Sequence, residues 1–151
     1  MVFFDLFKKR KKEKAKNDAH SETSGKKRDL TKEELLINKM WDLWSEDKLP
    51  SPVADLMLYQ AEVNNGGHDQ FFFNLGNSID DNALNKSVTE LRSVLTGGLL
   101  QNFEAAYAAF NSYDEDEDKA AEIEERCDEY YYDHEDEINI LLEKLWAEID
   151  I

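Results

Sequence analysis

Apolar residues recur at helical spacing along most of the chain. Thr31-x-x-Glu34 has the form of a capping box. Behind it, Leu36, Ile37, Met40, Trp41, Leu43 and Trp44 cover one broad helical face, with Asn38, Lys39, Asp42 and Glu46 opposite. Pro50-Ser51-Pro52 breaks this helix and opens another, with Ser51 expected as N-cap and Pro52 at the first helical position. That helix should run to about Asn64 and stop at Asn65-Gly66-Gly67, because glycine accepts the left-handed capping conformation. A short helix over 68–75 carries Phe71, Phe72 and Phe73, and another over 87–95 carries Val88, Leu91 and Leu95. Thr96-Gly97-Gly98 interrupts the pattern. Leu99, Phe103, Ala106, Tyr107 and Phe110 then share a face, as do Ile138, Leu141, Leu142, Leu145 and Ile149. No segment alternates with period two, and no unit repeats. The pattern predicts an all-α compact bundle of about six or seven helices over 29–151.

Charge divides the chain. Residues 1–28 hold ten basic residues against four acids, whereas 29–151 hold eight against thirty, so +6 is joined to −22. Residues 1–28 read as a basic, unstructured arm with a short apolar start, Phe3, Phe4, Leu6 and Phe7, ahead of Lys8 to Lys12. This start is not a secretory signal, since the charges follow an apolar stretch that is too short. Two readings of it compete: an arm folded back on the acidic domain, or an interfacial anchor in which residues 1–12 make weak contact with an anionic membrane. Residues 17–28 read as a linker. A single cysteine, Cys127, excludes an intramolecular disulfide and a cysteine-built zinc site, and makes a reduced, cytoplasmic setting the default. The net charge of −16 argues against direct nucleic-acid binding by the domain.

The acids concentrate between Asp114 and Glu137, where fourteen stand against two bases, a net −12 in 24 residues. On a helical wheel Asp118, Glu122, Glu125, Glu129, Asp133 and Asp136 form one stripe. Ile123, Cys127, Tyr130 and Tyr131 lie roughly opposite, and Glu124, Asp128 and Glu135 form a second acidic row beside the first. Like charges at i,i+4 cost a few tenths of a kcal/mol each, so stability alone would mix in lysines. As one helix the stretch would span roughly 36 Å at 1.5 Å per residue. Its charge density, about one per 3 Å, lies within a factor of about two of the ≈ 1.7 Å of duplex DNA. The blander reading is a solvated acidic face that confers solubility.

Other chemistry is thin. Asp114-x-Asp116-x-Asp118 followed by Glu122 and Glu125 has the spacing of a calcium loop, but Lys119 stands where that loop requires glycine. No metal and no cofactor are expected. The histidines show no two-histidine helical spacing, and His134 is expected to be packed or interfacial. No nucleophile elbow, P-loop or dinucleotide fingerprint occurs. Cys127 sits among carboxylates that raise its pKa rather than activate it. No catalytic residue is nominated.

The stretch from Tyr59 to Asn74 contains Glu62, Asn64, Asn65-Gly66-Gly67, Gln70-Phe71-Phe72 and Asn74. This order resembles the signature of the DMP19-like family, and the resemblance spans roughly 30–151. It implies an all-α fold. The family's best-understood member looks like a DNA mimic, an acidic dimer occupying the DNA-binding surface of a transcription factor. The resemblance therefore implies a homodimer and a basic, DNA-binding partner. His68 departs from the aromatic or aliphatic residue expected after Gly-Gly, and the basic arm lies outside the shared pattern. From the residues themselves, Asn65-Gly66-Gly67 ends one helix and turns into the next. Glu62, Asn64, Gln70 and Asn74 are expected to bond backbone groups freed there, and Phe71 to Phe73 to be buried.

Together these features point to a noncatalytic acidic interaction protein that presents Asp114, Glu115, Asp116, Glu117, Asp118, Glu122, Glu125, Glu129, Asp133 and Asp136 to a basic partner, as a DNA mimic would. The alternatives are an immunity-like or adaptor protein blocking one basic enzyme, and an enzyme using the polar groups of the Glu62–Asn74 motif. A pocket lined by Glu62, Asn65 and Gln70 would favour the last.

Overall fold

The computed structural model describes residues 28–149. The apolar start and nearly all of the basic arm therefore lie outside the described residues. Six helices and no strands occur among the described residues. They are α1 (Lys32–Ser45), α2 (Val53–Gly76), α3 (Ala83–Val94), α4 (Gly97–Asn111), α5 (Glu117–Asp133) and α6 (Glu135–Ala147). The described residues divide into two compact units, with the boundary between Leu49 and Pro50.

In the first unit the expected capping box is present. Glu34 N–H donates to Thr31 Oγ1 at 3.2 Å, and Thr31 N–H donates to Glu34 Oε2 at 2.9 Å. Two orphan amides of α1 are thereby satisfied. Arg28 pairs with the same glutamate at 2.5 Å, and its charge with the Thr31 bonds holds the Glu34 carboxyl below its usual range, the backbone bond being the larger cause. Trp41 and Trp44 meet edge to face at 5.5 Å.

In the second unit α2 is the central element, packing on α3, α4, α5 and α6. Its start differs from the sequence expectation by one residue. Pro52 occupies the capping position and Val53 begins the helix, because the 53–56 turn closes onto the Pro50 and Pro52 carbonyls without a side-chain cap. The Ser51–Pro52 peptide is cis. The expected break at Asn65-Gly66-Gly67 is present as a kink: Gly66 has φ −157° and Gly67 φ +80°, so helical geometry stops and resumes at His68. The gap at Leu95 and Thr96 separates α3 from α4, and Arg92 spans it, Nε to Glu104 Oε1 at 2.5 Å and Nη2 to Oε2 at 2.8 Å. Tyr59 lies at the centre of the core, edge-on to Phe71, Phe103 and Tyr131 at centroid distances of 5.2, 5.5 and 5.6 Å. Such geometry sets positive ring edges against negative faces. Phe71 and Phe72 are fully buried, whereas Phe73 points outward and is 58% exposed, contrary to expectation. Three consecutive helical residues point in three directions about 100° apart, so one broad core cannot take all of them.

Candidate functional site: the two faces of α5

The sequence region from Asp114 to Glu137 is not one helix. Asp114, Glu115 and Asp116 lie in the turn before α5, and His134 separates α5 from α6. Asp116 caps α5 by accepting from Lys119 N–H at 3.1 Å. The would-be calcium loop is thus helical from Glu117 onward. Asp118, Glu122, Glu125, Glu129 and Asp133 form the outward row of α5, all exposed, while Asp136 is exposed on α6. Among the described residues none of these six carboxylates forms an ion pair. Asp118 to Asp133 spans roughly 22 Å at 1.5 Å per residue, so the five lie about one per 5 Å. That row is sparser than the 24-residue estimate and closer to the 3.4 Å of a single DNA strand than to a duplex.

The second acidic row is corrected by the structure. Glu124 is buried and Asp128 half-buried, because the inward face of α5 is centred on Ala120, Glu124, Cys127 and Tyr131. These positions follow i, i+4, i+7, i+11, the spacing of a single helical face. Ile123 and Tyr130 lie only at its margin. Glu124 Oε1 has no hydrogen-bond partner among the described residues. Burial, and then the negative charges of Asp69 and Asp128, push its carboxyl up to about 7. The Cys127 thiol is pushed up to about 11, first by burial and then by Asp128 and Glu124. The carboxylates therefore act in the expected direction, but burial is the larger cause.

Asp128 holds the kink in α2. Its Oδ1 accepts from His68 N–H at 2.9 Å and from His68 Nδ1 at 2.6 Å. With the proton on Nδ1, Nε2 of the neutral ring accepts from the Tyr59 hydroxyl at 2.6 Å. The chain Tyr59–His68–Asp128 runs from the core to the surface of α5, and His68 has no solvent exposure. Gly67 is required beside it. A Cβ there would lie 2.3 Å from Asp128 Oδ2, and its positive φ is one that L side chains rarely adopt.

The family-type motif closes on itself rather than on the backbone, contrary to expectation for most of its polar groups. Gln70 Nε2 and Asn74 Nδ2 both donate to Glu62 Oε2, at 2.7 and 2.9 Å, spanning the kink side chain to side chain. Gly66 leaves room for this clamp, since a Cβ there would collide with the Gln70 amide. Asn64 alone takes a backbone carbonyl, donating to Gln60 at 2.8 Å, and it also reaches the Tyr131 hydroxyl at 3.2 Å. Asn65 is exposed. The freed groups find partners on α5: Asp128 takes the His68 amide, and Tyr132 Oη donates to the Val63 carbonyl at 3.0 Å.

His134 is packed, its ring stacked on Tyr130 at 3.9 Å with Nδ1 within 2.8 Å of the Tyr130 carbonyl. Among the described residues no three His, Cys, Asp or Glu side chains converge as a metal site, and no helix is long and apolar enough to cross a membrane. The sequence reading missed the His68–Asp128 pair. A histidine after Gly-Gly in an otherwise apolar stretch was its only local signal.

No curated protein and no solved structure matches the chain. A family model described as DMP19-like protein matches residues 47–149, a span that begins after α1 and takes in α2 to α6. The chain belongs to the DMP19-like family.

Proposed function

We propose that this protein is a noncatalytic acidic interaction protein whose α5 face binds a basic protein, in the manner of a DNA mimic occupying a DNA-binding surface. The observation that carries this reading is the exposed row Asp118, Glu122, Glu125, Glu129 and Asp133, which has no basic partner of its own among the described residues. Asp114 to Glu117 and Asp136 extend the same field at either end. Fixed carboxylates on a helix attract Lys and Arg over about a Debye length and set binding orientation. Membership of the DMP19-like family supports the reading, as does the inward use of the motif's polar groups. Glu62, Gln70 and Asn74 are committed to one another, which argues against catalysis by them.

The test is affinity capture by the full chain at low salt, followed by titration of the captured basic protein with and without competing duplex DNA. Affinity should fall at least about tenfold as salt rises, since the interaction is chiefly between exposed charges. The triple variant Glu122→Lys, Glu125→Lys and Glu129→Lys should weaken binding more than about 100-fold through like-charge juxtaposition, with helicity by circular dichroism unchanged. Affinity indifferent to both salt and charge reversal would refute the reading.

A further inference from the structure

Beside the acidic row a cleft of about 530 Å³ opens between α4 and α5. Its floor is Ala105, Ala108, Ala109, Ala120 and Ile123, with Ser112, Glu115, Asp116 and Lys119 also lining it. Small residues let α4 and α5 pack closely at Ala109 and Ala120, which are buried, while Ala105 and Ala108 stay exposed and leave the outer side low. The size falls in the ordinary range of ligand pockets, roughly 300–1,000 Å³.

We propose that this cleft seats an apolar side chain of a basic amphipathic protein segment, whose cations lie on the surrounding carboxylates. The inference rests on the acidic-face reading above and names the chemistry of the partner. Charge complementarity argues for that occupant: Glu115 and Asp116 line the cleft, their chain neighbours Asp114, Glu117 and Asp118 are exposed acids, and the outward row is carried by the same helix, α5. Lys119 sharpens the choice. It adds a cation to a lining that also holds Glu115 and Asp116, while the other lining residues except Ser112 are alanine or isoleucine, so the anchor is apolar and the basic groups meet the carboxylates at the edge. The floor has little to offer a polar group. The Ser112 hydroxyl already donates to the Ala109 carbonyl at 3.2 Å, and Asp116 Oδ1 is engaged as the cap of α5. A leucine-bearing basic helix fits this division, with its apolar face in the groove and its charged face on the carboxylates.

The probes are two synthetic helical peptides of equal length and equal positive charge, one with leucines at helical spacing and one with serines in their place. Binding to the full chain is measured by fluorescence anisotropy at low and high salt. The leucine peptide should bind at least about tenfold tighter, the equivalent of burying one apolar side chain, and should keep that advantage at high salt. Ala108→Trp, at an exposed position, should fill the cleft and remove the advantage while leaving the serine peptide's affinity unchanged; Ala105→Trp is the second variant. Equal affinity of the two peptides, or an advantage untouched by both tryptophans, would overturn the cleft proposal and leave the acidic-face reading standing. Failure of both peptides to bind would overturn both. A chain that is dimeric in sedimentation and becomes monomeric in Ala108→Trp would show a second copy in the cleft, which also overturns the proposal.

Discussion

The outward and inward faces of α5 carry the same chemistry in opposite roles. Glu122, Glu125 and Glu129 project into solvent, while Glu124 and Asp128, within the same few residues, project toward α2 and its neighbours. The outward acids repel one another and contribute a field. The inward acids contribute geometry: Asp128 fixes His68 and the kink, and Glu124 is raised to about 7 by burial and by Asp69 and Asp128. Near neutrality Glu124 is therefore divided between its protonated and ionised forms. The formal charge of the segment overstates the field it presents, and burial decides which carboxylates count.

The difference is tested most severely at Asp128. Asp128→Ala strands two donors of His68, its buried ring N–H and its backbone amide, and should cost about 3 kcal/mol in urea denaturation. Glu129→Ala next to it should change stability by less than about 0.5 kcal/mol. Equal losses at the two positions would erase the distinction.

Glu124 gives a pH-dependent effect of intermediate size. Its folded pKa lies above the unfolded value of 4.5, at about 7. The fold therefore favours the protonated carboxyl, whose stabilising contribution is fully present below about pH 4.5 and is lost as pH rises to about 7. Across that window the wild-type chain should lose about 2–3 kcal/mol on account of this group. Glu124→Gln, which cannot ionise, should flatten the curve in paired denaturations at pH 5 and pH 8. A variant curve parallel to wild type would mean that the group does not titrate in this window.

The smallest expected change belongs to the outward row. Replacing Glu122, Glu125 and Glu129 by lysine makes the i,i+4 pairs with Asp118 and Asp133 attractive, but it leaves 125 and 129 like-charged and sets position 122 against Arg126. The terms offset, and stability should change by less than about 0.5 kcal/mol per site. The same triple variant is the one expected to lose its basic partner. A thermal melt showing a large loss of stability instead would assign these residues a structural role.

Helix periodicity and breaker residues carried most of the fold. Thr31 and Glu34 cap α1 as their spacing requires, and Gly66-Gly67 kinks α2 where glycine is needed. These signals are local, set by residues within a turn of one another. The outward row was equally readable, since a stripe of carboxylates has one place to go. The inward acids do not follow their charge: Ala120, Glu124, Cys127 and Tyr131 share one face, and at Glu124 periodicity outweighs charge. Asp128 could not be placed from spacing alone, because its partner His68 is 60 residues away in sequence. The cleft over Ala105 and Ala108 was likewise hidden, as it depends on how closely two helices approach.

The bond from Asp128 to the kink has a consequence for α5 as a whole. Apolar packing is non-directional, whereas a hydrogen bond has a direction, and on a helix each residue step is a turn of about 100°. Asp128 engages two atoms of a single residue, one on the backbone and one on the ring, and so acts as an indexing pin. It sets the azimuth at which Glu125 and Glu129 leave the surface. The glycine pair in α2 thereby aims a row of charges on another helix, and a slip at that pin would rotate the row away from any partner shaped to meet it.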